Sequence, residues 1–311
     1  MSGPIVVGVD GSPSSLEAVS VAAREARLRG CALKVVHAFI WPAKHVPPGP
    51  VPLGPAGGEV RNAVGRLVAE AVERARSVAP DVEVGNAVVA GEALVVMEAQ
   101  SRTASLVVVG SRGMGGFAGL LLGSMAVHLT THGRCPVMVV RGEPDRAGPV
   151  LLGVDGSPAG EEAVEFAFEE AGLRGTEAVA LHAWTPGSAA AAPPQDPSMP
   201  SCALEPGILA AQEPLLAEAV AGRRQRHPDV RVEYTVVRGD AREALIEASR
   251  NAGLIVVGSR GRGGFTGLLL GSVSQALLHH AHCPVVVVRG TDARGWGSQG
   301  SDTAHRTGNV Q

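Results

Sequence analysis

The residues best suited to chemistry in this chain are the glycines, serines and arginines of one loop, and that loop occurs twice. In the first half Val107–Val109 leads into Gly110, Ser111, Arg112, Gly113, Met114, Gly115 and Gly116, and then to Gly123, Ser124 and Met125. The copy runs from Ile255–Val257 into Gly258, Ser259, Arg260, Gly261, Arg262, Gly263 and Gly264, and then to Gly271, Ser272 and Val273. Both keep the spacing Gly-x2-Gly-x9-Gly-Ser. Glycine lets backbone N–H groups approach an anion closely, and a serine opening a helical pattern adds a hydroxyl at a helix N-terminus, so this arrangement suits phosphate. Arg262 adds a charge to the second loop. Arg112 and Arg260 either pair with phosphate or stand in solvent as loop arginines. The structural alternative is a tight turn that needs positive φ at some of the glycines. That would account for one or two of them, but not for the whole loop and its serine in both copies.

Other candidates flank the loops. Asp10 and Asp155 end the opening apolar runs Ile5–Val9 and Val150–Val154, and each precedes Gly-Ser-Pro. Each carboxylate is read either as an Asx-turn or cap for the following helix, or as an acceptor for ribose hydroxyls or a holder of metal on phosphate. His37 and His182 precede Ala38 and Ala183. No nucleophile and orienting acid accompany them at a recognisable spacing, so they are read as packing histidines. The loop is not a Walker A motif, because GxxxxGK[ST] is missing. A nicotinamide site is also disfavoured: Ala118 and Thr266 stand where the third glycine would fall, and the loop follows the fourth strand rather than the first.

The elements that must position these residues follow from periodicity. Ile5–Val9, Ala32–Phe39, Val82–Val89, Leu106–Val109 and Pro136–Val140 read as strands. Helical patterns lie between them: one from Ser12 as N-cap and Pro13 to Gly30, one from Glu59 to Ser77, one ending at Arg102, and one from Ser124 to His132. The second half repeats this order, with Pro214 placing a helix start near Glu213 rather than Ile208. Alternating strands and helices predict a parallel sheet covered on both faces. Ligands of such sheets sit beyond the carboxyl ends of the strands where the order reverses. If strands one and four are neighbours there, the Asp10 and Gly110 loops converge. Pro42–Gly58 and Thr185–Gly207 are rich in Pro, Gly or Ala and read as irregular lid candidates. The expected domains are 1–142 and 150–290, joined by a linker at 143–149 and followed by a disordered tail at 291–311.

Composition narrows the partners. The chain has 311 residues, a net charge of −3 and only 3% aromatic residues, which disfavours nucleic acid as a partner. Four scattered cysteines (Cys31, Cys135, Cys202 and Cys283) form no CxxC pair, which fits a reducing compartment. No apolar run approaches about 18 residues, so a soluble cytoplasmic protein with no membrane partner is expected.

These residues resemble the universal stress protein family in its tandem two-domain form. The resemblance rests on both glycine loops, on the Gly-Val-Asp-Gly-Ser opening of each half, and on the last strands after Cys135-Pro136 and Cys283-Pro284. It implies an α/β fold of two doubly wound domains, each a five-stranded parallel sheet of order 3-2-1-4-5 with helices on both faces. It also implies ATP at two sites, with magnesium as an optional companion, and a role in stress or dormancy responses without defined turnover; a weak ATPase or phosphotransferase is the alternative. Carried over, Gly8, Val9, Asp10, Ala38, Gly110–Gly116, Gly123, Ser124 and Met125 would hold one nucleotide. Gly153, Val154, Asp155, Ala183, Gly258–Gly264, Gly271, Ser272 and Val273 would hold the other. The family's last strand commonly pairs two domains edge to edge, so Pro136–Val140 and Pro284–Val288 would pair within the chain, with a homodimer as a further option.

Overall fold

The computed structural model describes residues 3–40, 55–114, 122–157, 160–185, 205–261 and 270–290, with side chains withheld for 55–59 and 205–215. Gly115, Gly116, Arg262, Gly263 and Gly264 lie outside the described residues, as do most of both lid candidates and the tail. In the first half the elements are β1 (Ile5–Gly8), α1 (Pro13–Arg29), β2 (Leu33–Phe39), α2 (Pro55–Val78), β3 (Val84–Ala90), α3 (Ala93–Gln100), β4 (Leu106–Gly110), α4 (Ser124–His132) and β5 (Val137–Val140). The second half follows with β6 (Val150–Gly153), α5 (Glu161–Arg174), β7 (Ala178–Trp184), α6 (Glu205–Arg226), β8 (Val232–Arg238), α7 (Ala241–Ala248), β9 (Leu254–Gly258), α8 (Ser272–His280) and β10 (Val285–Val288).

Local chemistry sets the helix ends. The Ser12 side chain accepts from Ser15 N–H at 3.2 Å, Pro13 takes the first turn, and Gly30 closes α1 at φ 60°. Two expected starts are corrected. α2 begins at Pro55 rather than Glu59, because a proline at the first helical position forfeits no intrahelical bond. α6 begins at Glu205 and runs through Pro214, so an interior proline does not set its start. Pro206 falls in the first turn, where the missing N–H has no intrahelical partner, and beyond Pro214 the fully buried Leu216 and Val220 hold the helix to the core.

All the strands form one ten-stranded sheet in the order β3-β2-β1-β4-β5-β10-β9-β6-β7-β8. Each half is therefore of order 3-2-1-4-5, as the resemblance implied. Pairing is parallel except at the seam, where β10 runs antiparallel to β5 with Val286 opposite Met138. The last strand of each half is an edge only while that half stands alone; joined, both strands are buried along their whole length. That explains their unbroken apolar runs and removes two exposed edges. Alternate residues feed two layers: Met138, Val140, Val286 and Val288 pack toward α1, α2, α5 and α6, while Val137, Val139, Val285 and Val287 pack toward α3, α4, α7 and α8.

A charged cluster crosses the seam within the first layer. Glu25 of α1 pairs with Arg174 of α5, and Glu170 of α5 pairs with Arg29 of α1. Arg174 Nε also meets Glu170 Oε2 at 2.9 Å. Both carboxylates are buried, and burial together with the charge of Glu170 pushes Glu25 up to about 7 against the pull of Arg174 and Arg29.

Candidate functional site

β1 pairs with both β2 and β4, and β6 with both β7 and β9, so each half has its order reversal beside its first strand. The turns after β1 and β4 therefore meet. Asp10 Oδ2 accepts the Met114 N–H at 2.8 Å, and Oδ1 accepts the Ser12 N–H at 3.0 Å. Burial alone would raise the Asp10 pKa, but the hydrogen bonds from Ser12, Met114 and Ser15 outweigh it and hold the carboxyl below its ordinary value. In the second half Asp155 Oδ1 accepts from Ser157 N–H at 3.0 Å and from Ser157 Oγ–H at 2.7 Å.

The described loop glycines do different work, and none of them has positive φ; the positive-φ glycines lie elsewhere, at positions such as Gly11, Gly30 and Gly156. A Cβ on Gly113 would come within 2.6 Å of Asp10 Oδ2, and one on Gly261 within 2.2 Å of Asp155 Oδ2. These two glycines let the loop close onto a carboxylate. Gly110 lies against Ser14 of α1, whose Oγ a Cβ would meet at 2.4 Å. Gly123 and Gly271 are different. Their backbones are extended, with φ −79° and −73°, and a Cβ would meet protein atoms no nearer than 3.5 and 3.4 Å. The fold has no need of glycine at either position, so the missing side chain leaves room for something else. Neither residue gives its helix a side-chain cap, so α4 and α8 start with uncapped N–H groups behind the exposed Ser124 and Ser272. The N–H groups of Gly123 and Gly271 are not available to an anion, because they donate to Ser111 O and Ser259 O, each at 2.8 Å.

In the second half these parts enclose a cavity of about 450 Å³. The candidate residues Gly153, Val154, Asp155, Ala183, Gly258, Arg260, Gly261, Gly271, Ser272 and Val273 all line it. Ser259 does not: it is buried behind the loop and its N–H donates to Val288 O at 2.7 Å. The cavity also uses Gly160, Leu181, Ala241, Leu245, Val257, Leu270 and Ser274. Ala241 and Leu245 share a helix face four residues apart, a spacing visible in the sequence. Leu245 forms part of the floor under Gly153, where a Cβ would meet its Cδ1 at 3.1 Å. Met97 does the same under Gly8, at 3.0 Å. Ser274 Oγ donates to Gly258 O at 2.7 Å, which ties α8 to the end of β9. In the first half Ala38 and Met125 pack half-buried against the same layer as Met97, while Arg112 is exposed, unlike the half-buried Arg260. His37 Nδ1 lies 2.8 Å from Val9 O, and His182 Nδ1 lies 2.7 Å from Val154 O. Each imidazole thus carries its proton on Nδ1 and holds the end of the first strand of its half. Among the described residues no cluster of three or more His, Cys, Asp or Glu could hold a metal ion, and no helix is long and apolar enough to cross a membrane.

Comparison with known proteins agrees with this geometry. The family model described as Universal stress protein family matches twice, over residues 1–141 and 147–289. A universal stress protein of Mycobacterium tuberculosis is 38% identical over 299 residues, covering 92% of this chain and 96% of that one. One from Mycolicibacterium smegmatis is 40% identical over 302 residues, with the same coverage of both chains. The crystal structure of a universal stress protein from Archaeoglobus fulgidus superposes with a TM-score of 0.65 at 19% identity, covering 94% of this chain and 98% of that one, which establishes the shared fold.

Proposed function

The chain belongs to the universal stress protein family, and on that premise we propose that it is a nucleotide-dependent regulator of a stress or dormancy response, binding one ATP in each half. The observation that carries this reading is Gly271 and its counterpart Gly123. Neither backbone needs glycine, and each lies where an uncapped helix start, a glycine loop and a strand-end aspartate converge. In this reading the free N–H groups and hydroxyls of Ser124 and Ser272 take phosphate oxygens, aided by the helix dipole. Asp10 and Asp155 accept from ribose hydroxyls. The backbones at Ala38 and Ala183 and the apolar floor of Met97 or Leu245 face the base. A volume of about 450 Å³ suits a ligand of this size. Binding without turnover is part of this reading, and His37 and His182 serve in it by holding the ends of the first strands through Nδ1. A cytoplasmic setting, with magnesium accompanying the phosphates, fits the same role.

The test is direct. Protein purified without added nucleotide is denatured, and the supernatant is read by absorbance and mass; stripped protein is then titrated with ATP. Two adenine nucleotides per chain are expected, with no steady-state phosphate release above background. Failure to bind any adenine nucleotide overturns the proposal.

A further inference from the structure

We infer that the two candidate sites are energetically coupled through a pair of exchanged arginine caps, so that filling one raises the affinity of the other. This rests on the reading of both crevices as nucleotide sites. Arg141 directly follows β5 of the first half, yet its guanidinium crosses the seam. Nη1 donates to Leu277 O at 2.9 Å and Nη2 to His279 O at 2.7 Å, the last carbonyls of α8. Arg289 directly follows β10 and makes the reciprocal contact, Nη1 donating to Gly133 O at 3.1 Å at the end of α4. Each arginine is also adjacent to the anchor of its own loop: Ser111 N–H donates to Val140 O at 3.0 Å, and Ser259 N–H donates to Val288 O at 2.7 Å.

Two continuous paths result. One runs from the first glycine loop through Ser111, Val140 and Arg141 to the C-terminus of α8, whose N-terminus carries Ser272 at the second crevice. The other runs from the second loop through Ser259, Val288 and Arg289 to the C-terminus of α4, whose N-terminus carries Ser124 at the first. α8 is nine residues long, about 13 Å from end to end, and so short a helix moves as a rigid strut. A cation at its C-terminus and an anion at its N-terminus both act on the same dipole. A ligand that fixes the first loop fixes Val140 and Arg141, and the second ligand then meets a helix already set in place. The converse holds through α4, as reciprocity of coupling requires. The buried seam makes this transmission possible, because β5 and β10 cannot shift independently.

The experiment uses the full chain stripped of nucleotide. Calorimetric titration with ATP should give a single steepened transition to two nucleotides per chain, described by a second site that binds about tenfold more tightly once the first is filled, within the roughly 5–150-fold range of such couplings. In Arg141→Gln together with Arg289→Gln the isotherm should collapse to two independent sites. As a readout that a purely structural role would not move, the second crevice is blocked by Gly271→Val and hydrogen exchange is followed at α8. ATP at the first site should slow exchange at 277–281, and Arg141→Gln should abolish that slowing. Two identical, independent sites in the parent, or unchanged exchange at α8 in the blocked chain, overturn the coupling while leaving the nucleotide assignment intact. No binding at all refutes the nucleotide assignment and the coupling with it.

Discussion

The two halves share their glycine loops almost letter for letter, yet the turns facing those loops are built differently. In the first half Ser12 caps α1 by accepting from Ser15 N–H, and the helix starts at Pro13. In the second half Gly160 stands where Ser15 would be. Ser157 turns its hydroxyl onto Asp155 Oδ1, and α5 starts only at Glu161, with no side-chain cap. Gly160 then becomes part of the cavity wall. The Ser12 hydroxyl thus serves both the helix and the Asp10 carboxylate, whereas the Ser157 hydroxyl goes to Asp155 and leaves α5 without a side-chain cap. The outer faces differ as well: the exposed Val95 and Val127 of α3 and α4 correspond to Glu243 and Gln275 on α7 and α8. The glycine loops at the crevice are common to both halves, while the turn that faces them and the outer helix faces are not. That division is expected if the shared loop is retained for a ligand rather than for the fold, because each half folds with a different turn facing the same loop.

The sharpest way to break the comparison is to treat the halves one at a time. Gly123→Val and Gly271→Val, made separately, should each remove one of two nucleotides per chain and weaken that site by orders of magnitude. Losing even two hydrogen bonds to a charged group costs about 3–6 kcal/mol. Far-ultraviolet circular dichroism should match the parent, since both backbones are extended and a Cβ meets only ordinary contacts. Folded protein that still binds two nucleotides with parental affinity would remove the assignment of this loop.

The seam belongs to both halves, and disturbing it should destabilise them together. Glu170→Ala leaves Arg29 and Arg174 facing each other beside a buried Glu25, and should cost about 3–5 kcal/mol in chemical denaturation, with one transition rather than two. The same cluster sets a pH dependence. Glu25 rises from its ordinary 4.5 to about 7, so between those values the folded protein keeps a proton that the unfolded chain releases. Its contribution therefore favours folding at the acid end and is lost as pH rises through that window. The melting temperature of Glu25→Gln, compared with the parent from pH 5 to 7.5, should lack that share of the decline; identical slopes would contradict it.

A smaller effect tests the loop closure. Gly113→Ala and Gly261→Ala each force a methyl against the aspartate, at 2.6 and 2.2 Å, and should cost about 1–3 kcal/mol of stability, the second more than the first. Urea midpoints at constant slope would show it. The smallest effect separates the two turns. Ser12→Ala should lower protection of the first-turn amides of α1 by about 1 kcal/mol. Ser157→Ala should leave the first turn of α5 at its parental exchange rate, because that hydroxyl caps nothing there.

Much of this was legible in the sequence because it is local. The repeat, the apolar strand runs, the caps at Ser12 and Gly30, and the glycine spacing all depend on neighbours within a few residues, where period and propensity act directly. The start of α6 was not legible. An interior proline argues against a helix locally, and the burial of Leu216 and Val220 that overrides it is a tertiary fact. Nor could the glycines be sorted by role. Gly113, Gly123 and Gly110 look alike as letters, and only the positions of Asp10, Ser14 and the open space beside Ser111 tell a close approach from a vacancy. Side chains that act across long sequence separation were invisible for the same reason. Leu245 under Gly153, Arg174 with Glu25, and Arg141 at the end of α8 lie far apart along the chain, and no periodicity encodes which of many exposed or buried partners they will meet. By itself, the sequence determined two copies of a doubly wound unit and the loop each would present at its strand ends. The pairing of the two last strands was implied by the resemblance, but the antiparallel register of that seam, the buried charges that cross it, and the division of labour among identical glycines were decided only by the folded chain, because each depends on which surfaces packing brings within a few ångströms.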